Sequence, residues 1–191
     1  MNYLAHALLA EPYAHSLIGN IAGDLVKGPL ERHRLHPRVA DGVRRHRRVD
    51  VLTDGHEAYR ALKLRFPEGQ RRYAGLVLDV LFDHYLVGHW ERFSAWPRGA
   101  FLDGTYRVLR ENPLLLPPAL GRVANAWTDA DWLRVYETRS GVAAVLGRLA
   151  RRLTRPVDLV QLLDIADEHA AEFDQGFLEV YTDVQRAINA H

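Results

Sequence analysis

Residues 77–90 read VLDVLFDHYLVGHW, an apolar run broken at Asp79, Asp83, His84, Gly88 and His89. On a helix, residues four apart differ by only about 40° around the axis, so Asp79, Asp83, Leu86 and Trp90 share one narrow sector. Two carboxylates therefore lie on an otherwise apolar face. Upstream, residues 38–54, RVADGVRRHRRVDVLTD, repeat the arrangement: the same spacing stacks Val39, Val43, His46, Asp50 and Asp54 along one side. In both segments, residues able to bind a metal continue a hydrophobic stripe.

Outward from these two segments, apolar residues recur at helical rather than alternating spacing, and β-branched runs bounded by turn signals are missing. The pattern predicts an all-α chain, a single-domain helical bundle over residues 1–191. Helices are expected at 2–10, 14–27, 38–54, 70–95, 99–111, 115–127, 138–153 and 157–189. Breaks fall at Gly28-Pro29, Pro37, Pro67, Pro97, Pro113, Pro117-Pro118 and Pro156, because proline removes a backbone donor and clashes with the preceding turn.

With 191 residues, 48% of them hydrophobic, the chain can bury one substantial core. Cysteine is absent, which excludes disulfides, a thiolate nucleophile and cysteine-based zinc or iron–sulfur sites. No run approaches the ~18 apolar residues of a membrane span. The first residues lack a basic leader and carry His6, Glu11 and His15 in the one stretch resembling a signal core, so a cytoplasmic, membrane-free protein is expected. The net charge of +1 conceals a basic segment, Lys27 to Arg48, in which eight Lys or Arg face only Glu31 and Asp41. Such a segment attracts an acidic partner.

Several buried carboxylates converging with imidazoles need compensating positive charge, and a bound divalent ion supplies it economically. Carboxylate oxygen and imidazole nitrogen without sulfur suit Mn²⁺, Mg²⁺, Fe²⁺ or Zn²⁺, with the carboxylates favouring the harder ions. Mn²⁺ is preferred, with Mg²⁺ or Fe²⁺ as alternatives. An ion of this kind acidifies water and neutralises phosphate oxygens, which is hydrolase chemistry. Gly19 and Gly23 accompany Asp24 in a segment expected to be helical, where each Gly costs about 1 kcal/mol relative to Ala. Close helix packing or access for a metal would justify that cost. Blander readings stand beside these. Asp50 and Asp54 can pair with Arg47, Arg48 or Lys63 on a solvated face. His6 and His15 can be satisfied core histidines, while His33, His36 and His191 read as surface or terminal residues. His56 fits a helix start and His169 the outer part of a C-terminal helix. Phe173, Phe177 and Tyr181, at i, i+4 and i+8, read as core.

Taken together, MNYLAH, GNIAGDLVKG, HRRVDVLTD and LDVLFDHYLVGHW, in this order, resemble the acyl-carrier-protein phosphodiesterase (holo-ACP hydrolase) family. HAAEFDQGFLEVY near the C-terminus resembles it more weakly. The resemblance implies a divergent, HD-domain-like helical phosphohydrolase with a divalent-metal site, usually Mn²⁺. It carries over Asp24, His46, Asp50, Asp83 and His84 as metal-binding and catalytic residues. Read from their own positions on the helices, His6, Asp54, Asp79 and His89 are candidates for further ligands or supporting groups. The chain departs from the usual HD pattern: it has no His-Asp dipeptide, and its adjacent pair is the reversed Asp83-His84. The implied reaction hydrolyses the phosphodiester joining 4′-phosphopantetheine to the serine of holo acyl carrier protein. Lys27, Arg44, Arg45, Arg47 and Arg48 are the expected phosphate- or carrier-protein-binding residues, since acyl carrier proteins are acidic as a class.

Two other readings compete. One keeps the metal site and changes the substrate to a nucleotide or small phosphoester. The other makes the chain a non-catalytic helical module that binds carrier protein or nucleic acid. Stacked carboxylates on apolar faces favour catalysis, and the near-neutral overall charge argues against a dedicated nucleic-acid binder. The sequence leaves the oligomeric state open.

Overall fold

The structure, a computed structural model, describes residues 1–190; His191 lies outside the described residues. The fold is all-α, with no strand among the described residues. The chain forms two compact units, one made of Met1–Asn2, Val51–Gly88 and Val135 onward, the other of Tyr3–Asp50 and His89–Arg134.

The second of these units contains α1 (Tyr3–Leu8), α2 (Ala14–Ala22) and α3 (Pro37–Gly55) as far as Asp50. Its other helices are α6 (Trp90–Phe93), α7 (Arg98–Glu111), α8 (Pro118–Gly121) and α9 (Ala124–Asp129). Ile18, Ile21, Val39, Val43, Leu109 and Leu120 are central to its core, on faces set by helical spacing. α2 approaches α3 so closely that a Cβ on Gly19 would stand 2.3 Å from the Val39 carbonyl oxygen and 2.7 Å from the Gly42 Cα. Gly19 and Gly42 thus allow contact between two helix backbones, which places the residues that follow each of them.

The first unit contains α4 (Glu57–Leu64), α5 (Arg71–Gly88), α10 (Arg139–Ala150), α11 (Leu162–Glu168) and α12 (Ala170–Asn189). α12 packs on α4 and α5, and α10 packs on α5. Tyr59, Phe82, Phe177 and Tyr181 form a chain of aromatic contacts with centroids 5.4–5.6 Å apart, and Phe66 meets Phe173 edge-on at 5.8 Å. Phe173, Phe177 and Tyr181 are fully buried, as their i, i+4, i+8 spacing predicts. Thr138 caps α10: its hydroxyl accepts from the Gly141 amide at 3.1 Å. Thr138→Ala should lower unfolding stability by about 1 kcal/mol, measurable by urea denaturation.

Helix boundaries differ from the expectation where the chain changes direction. The helix expected over 14–27 stops at Ala22 and tightens into a 3₁₀ turn, Gly23–Leu25. The one expected over 70–95 ends at Gly88 and resumes at Trp90, and that over 157–189 breaks at His169 into α11 and α12. The segment expected over 115–127 is a 3₁₀ turn, Pro113–Leu115, followed by α8 and α9. α4 was not anticipated; only Tyr59 and Leu62 of its eight residues are buried, too few to display a period. It begins at His56, whose Nδ1 accepts from the Ala58 amide at 3.2 Å. Among the described residues, no helix is long and apolar enough to cross a membrane.

Candidate metal centre

Three short-range decisions build the site. α1 carries a buried histidine, His6, whose neighbours Leu4, Ala5 and Ala7 are buried too. The close α2–α3 contact brings the end of α2, with Asn20 and Gly23, beside the middle of α3. The stripe of α3 then runs outward from buried Val39, Val43 and His46 to half-exposed Asp50.

His6 and His46 stack with centroids 3.7 Å apart and planes 20° from parallel. Their Nε2 atoms address the two oxygens of one carboxylate: His6 lies 3.0 Å from Asp50 Oδ1, and His46 lies 3.1 Å from Asp50 Oδ2. One ligand atom from each residue lies within 4.8 Å of the others, the arrangement expected around a shared cation. Asp24 stands at the edge, its Oδ1 3.9 Å from His46 Nε2.

The proton positions favour a cation at this point. His46 Nδ1 donates to the Asn20 carbonyl at 2.8 Å. That bond fixes the ring with Nε2 turned toward Asp50, the nitrogen left for a metal. Burial, with His46 close by, lowers the pKa of His6 to about 4 despite Asp50, so its imidazole is neutral at pH 7. Although His6 Nε2 is near Asp50, neither of its ring nitrogens makes a well-directed hydrogen bond, and both are buried. Burial pushes the Asp50 carboxyl up, but the imidazoles of His46 and His6 outweigh it and hold Asp50 well below the usual carboxylate range. Two imidazole nitrogens converge on an ionised carboxylate, a donor set that fits a divalent ion.

Gly23 makes room for this arrangement. A Cβ there would stand 2.1 Å from His46 Cγ and 2.5 Å from Nδ1, so the imidazole lies directly against the glycine. Above the ring opens a cavity of about 370 Å³, lined among others by Asp24, Lys27, His46, Arg47 and Asp50.

Residues 1–184 match the family model described as acyl carrier protein phosphodiesterase. The chain belongs to that family. Similar proteins bearing this description come from Serratia proteamaculans, 33% identical over 95% of this chain and 94% of the relative. One from Photorhabdus laumondii is 35% identical over 95% of this chain and 91% of the relative. Another, from Salmonella agona, is 32% identical over 95% and 94%. No solved structure matches the chain.

In this acyl carrier protein phosphodiesterase family member, His46 and Asp50 come together with His6, and Asp24 lies beside them. Asp83 and His84 are not in that group of three. Asp83 is fully buried on α5; burial and the nearby Asp83 charge raise the Tyr181 phenol well above its usual range. His84 Nδ1 donates to the Tyr136 carbonyl at 2.7 Å. Asp79 accepts from the Tyr59 hydroxyl and from the amino group of Met1, both at 2.9 Å. Asp54 is exposed and pairs with Lys63 at 3.0 Å, as the blander reading of its helix face allows. His89 precedes the short helix α6.

Of the basic residues, Arg44 pairs with Asp41 at 2.6 Å, and Arg45 donates through Nε to the Leu9 carbonyl at 2.6 Å. Arg48 is exposed. Arg47 and Lys27 both line the cavity. The sequence placed His6 among the possible further ligands or supporting groups and did not point to the Asn20 carbonyl. The available signal for His6 was an imidazole on an apolar helix; a backbone acceptor leaves no trace in residue identity.

Proposed function

We propose that this protein is a divalent-metal-dependent phosphodiesterase that releases 4′-phosphopantetheine from the serine of holo acyl carrier protein, giving the apo form. The observation that carries the reading is the convergence of His6, His46 and Asp50 on one point beside a cavity, in a chain of this family. His6 Nε2, His46 Nε2 and the Asp50 carboxylate would hold the ion, with Asp24 as a further ligand. Asp83 and His84, carried over by the LFDHYLVGHW motif, are proposed as supporting groups. Two imidazoles with carboxylate suit Mn²⁺ or Fe²⁺ better than Mg²⁺, which prefers oxygen ligands and keeps its waters. Mn²⁺ is our first choice.

When bound, the ion supplies a Lewis acid for the phosphoryl oxygens and lowers the pKa of water. The protein's own part is positioning. The Asn20 carbonyl holds the proton of His46 on Nδ1 and fixes the ring plane. Stacking of His6 on His46 sets the separation of their Nε2 atoms, and Asp50 remains ionised between them. The Lys27–Arg48 segment offers a basic surface to an acidic carrier protein.

Holo acyl carrier protein incubated with the Mn²⁺-loaded enzyme should lose the phosphopantetheine mass, and a chelator should stop that loss. Intact-protein mass spectrometry reads both. Equal loss with and without chelator overturns the metal dependence, and no loss from several folded carrier proteins overturns the substrate.

A further inference from the structure

Three consecutive backbone carbonyls beside the candidate metal centre are each held by a side chain. Arg47 Nη2 donates to the Val26 carbonyl at 2.8 Å and to the Gly28 carbonyl at 2.7 Å. His33 Nε2 donates to the carbonyl between them, that of Lys27, at 2.8 Å. Gly28 completes the turn with φ +79°, in the left-handed region that a side chain disfavours. Surface loops usually leave such groups to water and remain mobile. Here the backbone on both sides of Lys27 is fixed.

The side chain presented by this restrained loop is a cation at the cavity. Lys27 lines it together with Asp24, His46 and Asp50, and 79% of its side chain is exposed. Its ammonium lies 3.6 Å from Asp24 Oδ1, a loose contact that water and salt screen. The same oxygen is 3.9 Å from His46 Nε2. One carboxylate oxygen therefore separates the ammonium from the candidate metal ligand, a gap that a phosphate group is large enough to bridge.

Arg47 would have been the better fork for a phosphate on chemistry alone. Its Nη2, however, is shared between two carbonyls, which makes it a brace. Arg44 and Arg45 are engaged with Asp41 and the Leu9 carbonyl. Among the described residues, Lys27 is the cavity-lining cation with a compact, reorientable ammonium, and its Asp24 contact is loose.

We propose that Lys27 anchors the phosphate of the substrate, and that Arg47 and His33 are positioning residues which hold its loop at the cavity mouth. The phosphodiester identity of the ligand rests on the function proposed above; the anion-binding role does not.

The test is calorimetric binding of inorganic phosphate to the Mn²⁺-loaded protein, with Mn²⁺ affinity measured on each variant. Lys27→Ala should weaken phosphate binding by about tenfold to a hundredfold, as expected for loss of a charged hydrogen bond, with Mn²⁺ affinity unchanged. Lys27→Arg should restore most of it. Arg47→Ala and His33→Ala should each weaken phosphate binding by a smaller factor and again leave Mn²⁺ binding intact. Wild-type phosphate affinity in Lys27→Ala, or no phosphate binding by the unaltered protein, overturns the anchor. Wild-type phosphate affinity in both Arg47→Ala and His33→Ala overturns the positioning role. Lys27-dependent phosphate binding without turnover of holo carrier protein would support this inference while refuting the proposed substrate.

Discussion

The Asp50→Ala variant is expected to lose metal-dependent hydrolysis of holo acyl carrier protein by about a thousandfold or more while keeping its fold, a loss on the scale seen when electrostatic stabilisation is removed from an active site. Among the described residues, Asp50 is the group whose two oxygens face both Nε2 atoms, at 3.0 and 3.1 Å. Without it, the two imidazoles keep only Asp24, whose Oδ1 stands 3.9 Å from His46 Nε2 at the edge of the group, to offset the charge of an ion. Its side chain is 39% exposed, so truncation opens no closed cavity and the helix gains a residue of higher propensity. Circular dichroism should therefore be unchanged, while the Mn²⁺ isotherm flattens and single-turnover release stops. Asp54→Ala, one helical turn further along and paired with Lys63, should retain turnover. If Asp50→Ala turns over within tenfold of wild type, the ligand assignment is wrong.

Gly23→Ala should produce a comparable loss by moving a ligand rather than deleting one. The backbone at Gly23 is right-handed helical, with φ −51° and ψ −45°, so alanine is conformationally welcome there and would normally stabilise the turn. The obstacle is the His46 ring, which a Cβ would meet at 2.1 Å. To admit the methyl group, the imidazole must leave the Asn20 carbonyl and its stack on His6. Mn²⁺ affinity should fall by at least about ten- to a hundredfold, the usual consequence of disturbing the groups that orient a ligand. The histidine ring resonances of the metal-free variant should shift as well. Wild-type Mn²⁺ affinity in Gly23→Ala would show that the ring's place against Gly23 does not matter to the site.

Much of the fold was legible because helical periodicity in a core is a strong signal: the stripes through Val39, Val43 and His46 and through Phe173, Phe177 and Tyr181 are buried as written. Helix ends were less visible. Gly23, Gly88 and His169 interrupt patterns whose apolar spacing continues across them. In the site, His46 and Asp50 declared themselves by lying one turn apart on an apolar face. Asp54 extends the same stripe but reaches solvent, where it pairs with Lys63. His6 was harder to judge, since a single histidine in MNYLAH has the same neighbours whether it packs or ligates. Its ring stack is a long-range contact that no local window contains. The gap between Arg45 and Arg47 has the same origin: adjacent arginines are about 100° apart around a helix, and only the surrounding carbonyls determine what each one holds.

The contact of α2 with α3 through Gly19 and Gly42 also bears on when the ion arrives. Backbone against backbone fixes the distance from Asn20 to His46 before any metal is needed, so assembly of the ligands belongs to folding and loading follows it. A zinc finger, by contrast, draws its folding energy from the ion and collapses when stripped. Here chelation should be reversible, leaving a folded protein that refills on dialysis. A site that is ready in advance takes the ion that its surroundings supply, so metal identity in the cell would follow availability as well as affinity.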